Sequence, residues 1–188
     1  MIKDAEQFIA AVTKYDTIAL YIPGSPDPDA IASAYALKMI LDKLNIESEI
    51  YAEKRLSLPQ NQAFIEHLKI PVIFSREINL KKYQAYIVAD FQNNRIEHVS
   101  DKIPCVAHFD HHGKSKDAVK ADFSLIRSDV GSTSTLITLL LKNSNLSFTD
   151  EEMTVAATAL TFGIQTDTDK YKYITPPDLE ALVYLSDF

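Results

Sequence analysis

Four short apolar runs in this chain each stop at a carboxylate or an imidazole, and that punctuation constrains the fold more than any other feature. Thr17–Ile22 is followed by Pro26-Asp27-Pro28-Asp29, Ala85–Ala89 by Asp90, Ile103–Phe109 by Asp110-His111-His112, and Leu160–Thr166 by Asp167. A buried strand that ends in metal- or proton-handling side chains delivers them to the sheet edge where open α/β sheets place their ligands. Carboxylates gathered a few ångströms apart raise one another's pKa and repel. The simplest resolution is a shared divalent-metal site.

Between these runs the pattern alternates strand and helix. Phe8, Ile9 and Val12 mark an amphipathic helix over 4–14, ahead of a buried strand at 17–22. Ile31, Ala34, Leu37, Leu41 and Leu44 form the apolar stripe of a helix over 29–44. Strands near 46–52, 72–74, 84–89 and 103–109 and helices near 60–68, 133–143, 150–163 and 178–186 complete the reading. Thr149-Asp-Glu-Glu152 supplies a cap and an acidic first turn. The fold class expected is α/β, a Rossmann-like parallel sheet with helices on both faces.

At 188 residues and 46% hydrophobic content the chain is sized for one domain, read here as spanning 1–188. A net charge of −7 argues against a partner such as long duplex nucleic acid, which is bound by neutralising phosphates. Small phosphorylated substrates stay compatible with it, because divalent cations would cancel the excess charge locally. Cys105 is the only cysteine and sits in an apolar run, so no disulfide framework and no thiolate zinc site is expected. The start of the chain is polar and no apolar run nears the roughly 18 residues of a spanning helix, which predicts a cytoplasmic protein without a membrane partner. Gly24, Gly113, Gly131 and Gly163 all adjoin the segments named above.

The motifs Pro26-Asp-Pro-Asp-Ala-Ile-Ala-Ser-Ala34, Val88-Ala-Asp-Phe91 with Arg95 downstream, Asp110-His-His112, Gly131-Ser-Thr-Ser134 and Gly163-Ile-Gln-Thr-Asp-Thr168 occur in this order. On them the chain resembles the amino-terminal domain of the DHH phosphoesterase superfamily, from about residue 17 onward. That superfamily includes RecJ-type exonucleases, nanoRNase/pAp-phosphatases, cyclic-dinucleotide phosphodiesterases and family II inorganic pyrophosphatases. The resemblance implies two Mn²⁺ or Mg²⁺ ions. Asp27 would ligate the first, Asp29, His111 and Asp167 the second, and Asp90 would bridge them. His112 and Asp110 would serve catalysis, with His112 facing the phosphate. Ser132, Thr133, Arg95 and Lys114 would contact substrate.

Two departures stand out. The family histidine four residues before Asp27 is replaced by Pro23, which has no ligand atom, and His108 is a candidate substitute. The smaller associated domain that usually follows is not visible before Phe188. The resemblance therefore implies hydrolysis of a small phosphorylated nucleotide by a metal-activated water, with two alternatives kept open, a weakened regulatory nucleotide- or metal-binding domain and a pyrophosphatase or polyphosphatase; a homodimer is compatible with each. Simpler roles also stand beside the functional ones. Asp27 or Asp29 can cap the helix that follows, Ser132 can cap the next, and the lysines can be solvated surface charges.

Overall fold

The computed structural model describes residues 1–75 and 77–188. Six parallel strands form one sheet in the order β3-β2-β1-β4-β5-β6. They are β1 (Thr17–Ile22), β2 (Glu47–Ala52), β3 (Val72–Phe74), β4 (Ala85–Ala89), β5 (Cys105–Asp110) and β6 (Phe123–Ile126). Six helices accompany them: α1 (Ile2–Val12), α2 (Pro28–Lys43), α3 (Pro59–Leu68), α4 (Thr133–Lys142), α5 (Asp150–Asp167) and α6 (Pro176–Leu185). Strand order runs outward to β3 on one side of β1 and to β6 on the other, so β1 and β4 flank a topological switch. Ligands in such sheets bind outside the carboxyl ends of the strands at that point.

The sheet is parallel and α/β as expected, and both of its faces are covered, one by the α-helices and the other mainly by connecting segments. Ile18, Leu20, Ile50, Ile87, Ala107 and Phe109 share a single apolar cluster with residues from all six helices. The opposite face presents Ala19, Tyr21, Tyr51, Tyr86, Val88 and Cys105, covered by Ile96, Val99 and Val119 from connecting segments and by the 3₁₀ turn Leu80–Lys82. Helices on both faces were anticipated from strand alternation. The β4–β5 link carries Asn93-Asn94 and Pro104 and the β5–β6 link carries Gly113 in place of an apolar 3.6-residue period, so they cross as turns and loops.

Two boundaries also differ from the sequence reading. Strand β6 is short and alternates, with Phe123 and Leu125 buried and Ser124 exposed, which leaves little periodic signal. Helix α5 continues four residues past Gly163, to Asp167. Gly163 marks a close approach and not a stop: a Cβ there would overlap the Ser134 hydroxyl and lie 3.2 Å from the Asp29 Cα. Among the described residues no helix is long and apolar enough to cross a membrane.

Candidate metal centre

The first contributions come from the turn after β1. Asp27 is the N-cap of α2, its carboxylate accepting the Ala30 N–H at 2.9 Å, and Pro28 occupies the first helical position where no N–H is needed. Asp29 lies one residue on, fully buried. Its two oxygens accept the Thr133 and Ser134 N–H groups, each at 2.7 Å, and so tie the start of α2 to the start of α4.

Asp90 follows β4 in a left-handed conformation (φ 58°), and its N–H donates to the Phe109 carbonyl at 2.9 Å. Aspartate tolerates that region better than most residues. The turn carries its carboxyl inward, to where Thr133 Oγ1 donates to it at 3.2 Å. His111 and His112 follow β5, with ring centroids 3.9 Å apart and planes tilted by 54°, and Asp167 closes α5.

These turns bring Asp29, Asp90, His111 and Asp167 together, with one ligand atom from each within 4.8 Å of the others. The His111 Nε2 is 3.0 Å from Asp167 Oδ2 and 3.5 Å from Asp90 Oδ1. It is nevertheless buried without hydrogen-bond geometry to either. A ring nitrogen aimed into the space between carboxylate oxygens is the disposition of a ligand around a cation. Three carboxylates and an imidazole fit a hard or borderline divalent ion. Asp90, His111 and His112 form a second, overlapping group.

The electrostatics agree with that fit. Burial, then the charge of Asp167, pushes the Asp29 carboxyl up to about 8. Burial and the neighbouring Asp29, Asp27 and Asp167 push Asp90 up to about 10. Asp27 is raised chiefly by burial. For His111, burial alone would lower the ring's pKa, but the carboxylates of Asp167, Asp29 and Asp110 outweigh it and the net shift is upward. A cation bound at this point would remove the repulsion that all these shifts express.

Of the other expected residues, Asp110, Ser132, Thr133, Arg95 and Lys114 lie outside both groups. Asp110 is buried and accepts both the His112 N–H (3.2 Å) and His112 Nδ1 (3.0 Å), so it orients the histidine. Ser132 is buried and caps α4 by accepting the Thr135 N–H. Thr133, expected to contact substrate, gives its N–H to Asp29, as does Ser134, because a buried carboxylate satisfies a helix start. Arg95 and Lys114 are exposed. His108 is no substitute for the missing histidine. Its Nε2 is 2.6 Å from the Phe91 carbonyl, and it stays outside both groups.

Pro23 precedes a loop held by Glu53, which accepts from Gly24 N–H and Tyr21 Oη, each at 2.8 Å. Sequence reading missed Asp178. Fully buried, it accepts from Gly131 N–H, Thr135 Oγ1 and Thr175, and so braces the α4 start from the far side. A first-turn acid of α6 reads only as a helix cap, which it also is. No local pattern announces its long-range partners.

Comparison with known proteins gives the family of the chain. The uncharacterised protein MJ1633 of Methanocaldococcus jannaschii is 32% identical over 166 residues, 87% of this chain and 33% of that protein. Among solved structures, an exopolyphosphatase-related protein from Bacteroides fragilis superposes with a TM-score of 0.74 at 18% identity, over 98% of this chain and 56% of the other. A putative family II inorganic pyrophosphatase of Methanococcus jannaschii gives 0.69 at 22%, over 91% and 55%. The exonuclease RecJ bound to manganese gives 0.53 at 14%, over 85% and 42%. The chain thus spans about a third of the curated relative and about half of the first two structures. The model of the DHH family, N-terminal domain, matches residues 17–164, and the chain belongs to that family.

Proposed function

We propose that this domain is a divalent-metal-dependent phosphoesterase that hydrolyses small phosphorylated nucleotides: short oligonucleotides, 3′-phosphoadenosine 5′-phosphate or cyclic dinucleotides. The observation that carries the reading is the His111 Nε2, buried among carboxylate oxygens and hydrogen-bonded to none. Asp29, Asp90, His111 and Asp167 hold one ion. Asp27 with Asp90 holds a second more weakly, because Pro23 adds no ligand. Imidazole beside carboxylate favours Mn²⁺ over Mg²⁺, and manganese is the ion named with the similar exonuclease. Bound there, a divalent ion supplies Lewis acidity that lowers the pKa of a water and neutralises phosphoryl oxygens.

The chain's own residues do the rest. Because Asp110 Oδ1 accepts from His112 Nδ1, that nitrogen carries the proton and Nε2 is left for substrate. The His112 side chain is about half exposed, beside Asp90 in the cavity that opens there, and its Nε2 is the atom that meets a phosphoryl oxygen. A water oxygen forms the new P–O bond as the ester P–O bond breaks, and the leaving oxygen takes up a proton.

Mn²⁺ calorimetry paired with a hydrolysis screen tests the reading, using dinucleotides, 3′-phosphoadenosine 5′-phosphate, cyclic dinucleotides and pyrophosphate. Turnover of a nucleotide substrate with two ions per chain is the expected result. Pro23 and the capping role of Asp27 favour one second reading, a regulatory nucleotide- or metal-binding domain. One ion per chain and no turnover would establish it. Pyrophosphate as the sole substrate would place the chain with pyrophosphatases.

A further inference from the structure

We infer that His108 is a positioning residue: its Nε2–H, donated to the Phe91 carbonyl, holds the turn in which Asp90 points its carboxyl into the metal centre. The inference deepens the phosphoesterase reading, because it rests on Asp90 being a ligand there. It assigns a task to a buried histidine that lies outside both ligand groups.

His108 is fully buried within β5, beside Val88 of β4 and Ser124 of β6. The other side chains of that strand ahead of Asp110 are Cys105, Val106, Ala107 and Phe109. An imidazole among such neighbours is costly to bury unless both nitrogens are hydrogen-bonded, and only one of them is. Nε2 lies 2.6 Å from the Phe91 carbonyl, so it carries the proton, while Nδ1 is buried with no hydrogen-bond partner among the described residues. Burial also lowers the pKa of the ring, and the neutral form has a single N–H to give. A leucine here would remove the orphaned Nδ1 but leave the Phe91 carbonyl without its donor, two changes of opposite sign. Stability alone therefore gives no reason for a histidine at this position.

The geometry around Asp90 gives one. Its φ of 58° lies in the left-handed region, which residues other than glycine use sparingly. Such a conformation persists only where the surroundings over-determine it. Here consecutive residues of β5 grip the chain on both sides of Asp90: the Phe109 carbonyl accepts the Asp90 N–H at 2.9 Å, and the His108 ring donates to the Phe91 carbonyl. Any residue at 109 could make the first bond, whereas the second needs a side chain with a donor at its tip. Held between them, the Asp90 carboxyl has Thr133 Oγ1 at 3.2 Å and His111 Nε2 at 3.5 Å. Downstream the loop is fixed again, where the Gln92 carbonyl accepts the Ser115 N–H (3.1 Å) and the Asn94 carbonyl accepts Tyr86 Oη (2.7 Å). Loss of the His108 bond therefore frees Asp90 and Phe91 and little else.

The test is amide hydrogen exchange in the metal-free protein, followed by Mn²⁺ calorimetry. It compares His108→Leu, which has no donor, with His108→Gln, whose amide nitrogen reaches the position of the ring Nε2. In His108→Leu the Asp90 N–H should exchange about tenfold faster than in the wild type while the amides of β1 keep their protection. Mn²⁺ affinity should fall about tenfold or more, as it does when the partner that orients a metal ligand is removed. His108→Gln should restore both. Unchanged Asp90 exchange in His108→Leu would overturn the inference, as would faster exchange throughout the sheet or a failure of His108→Gln to restore protection. Should His108→Leu not fold, His108→Asn, whose amide is a methylene too short to reach Phe91, takes its place under the same criteria. If the wild type takes up no Mn²⁺, the phosphoesterase reading fails, and the exchange comparison still decides whether His108 holds Asp90.

Discussion

The Ser134 amide donates a 2.7 Å hydrogen bond to the Asp29 carboxylate across 105 residues of sequence. Thr133 does the same to the other oxygen. One carboxylate therefore closes the start of α4 and lines the candidate metal centre, so structure and proposed site are joined in a single side chain.

Asp29→Asn separates those tasks. The amide keeps the shape but offers one acceptor where two donors wait, leaving at least one buried N–H unpaired at a cost of about 1–3 kcal/mol. We expect a lower urea midpoint for the metal-free protein and weaker Mn²⁺ binding by calorimetry. Unchanged stability would mean that the two bonds contribute nothing net.

The pH dependence follows from the carboxyls of Asp29 and Asp90. Their folded-state values lie above the unfolded value of about 3.9, so the folded state holds more protons and stability falls as pH rises from about 4 toward 8. The raised value of His111 works in the same direction. In EDTA the melting temperature should drop across this window. Saturating Mn²⁺ should flatten the decline and add about 2.7 kcal/mol at one hundred times its dissociation constant. A metal-free profile that rises with pH would contradict the clustering.

Gly163→Ala tests the packing beneath the site. A Cβ there overlaps the Ser134 hydroxyl and approaches the Asp29 backbone, so α5 must shift outward and carry Asp167 with it. Overpacking of this kind costs about 1–3 kcal/mol. Metal affinity should fall together with thermal stability, and a stable variant with unchanged affinity would show that α5 tolerates the displacement.

Pro23→His supplies the nitrogen that the first metal position lacks. The neighbouring loop stays pinned through Gly24 and Glu53, which favours a local change. Calorimetry should then show a tighter second ion per chain. No change in stoichiometry or affinity would mean that the turn before Asp27 does not face the metals.

Much of this was legible because strand ends are local signals. An apolar run that stops at Asp27-Pro28-Asp29, at Asp90 or at His111-His112 names both the element and the side chains it delivers. What escaped was tertiary. The reach of Asp178 to Gly131 and Thr135 spans about 40 residues with no local pattern to record it. Gly163 reads as a helix stop until α5 is seen to need its missing side chain. That connecting segments rather than long helices cover the second face of the sheet was invisible, because strand alternation says that a connection crosses, not what it is made of.

The difference between a helix-covered face and a loop-covered face separates what the domain can alter from what it must keep. The helices and the apolar cluster beneath them anchor Asp29 and Asp167, while Gln92, Asn93, Arg95 and Lys116 hang on connections that no helix constrains. Residues can be inserted or exchanged in those connections without disturbing helix packing. Substrate preference in such a scaffold can drift while the metal-holding frame stays still.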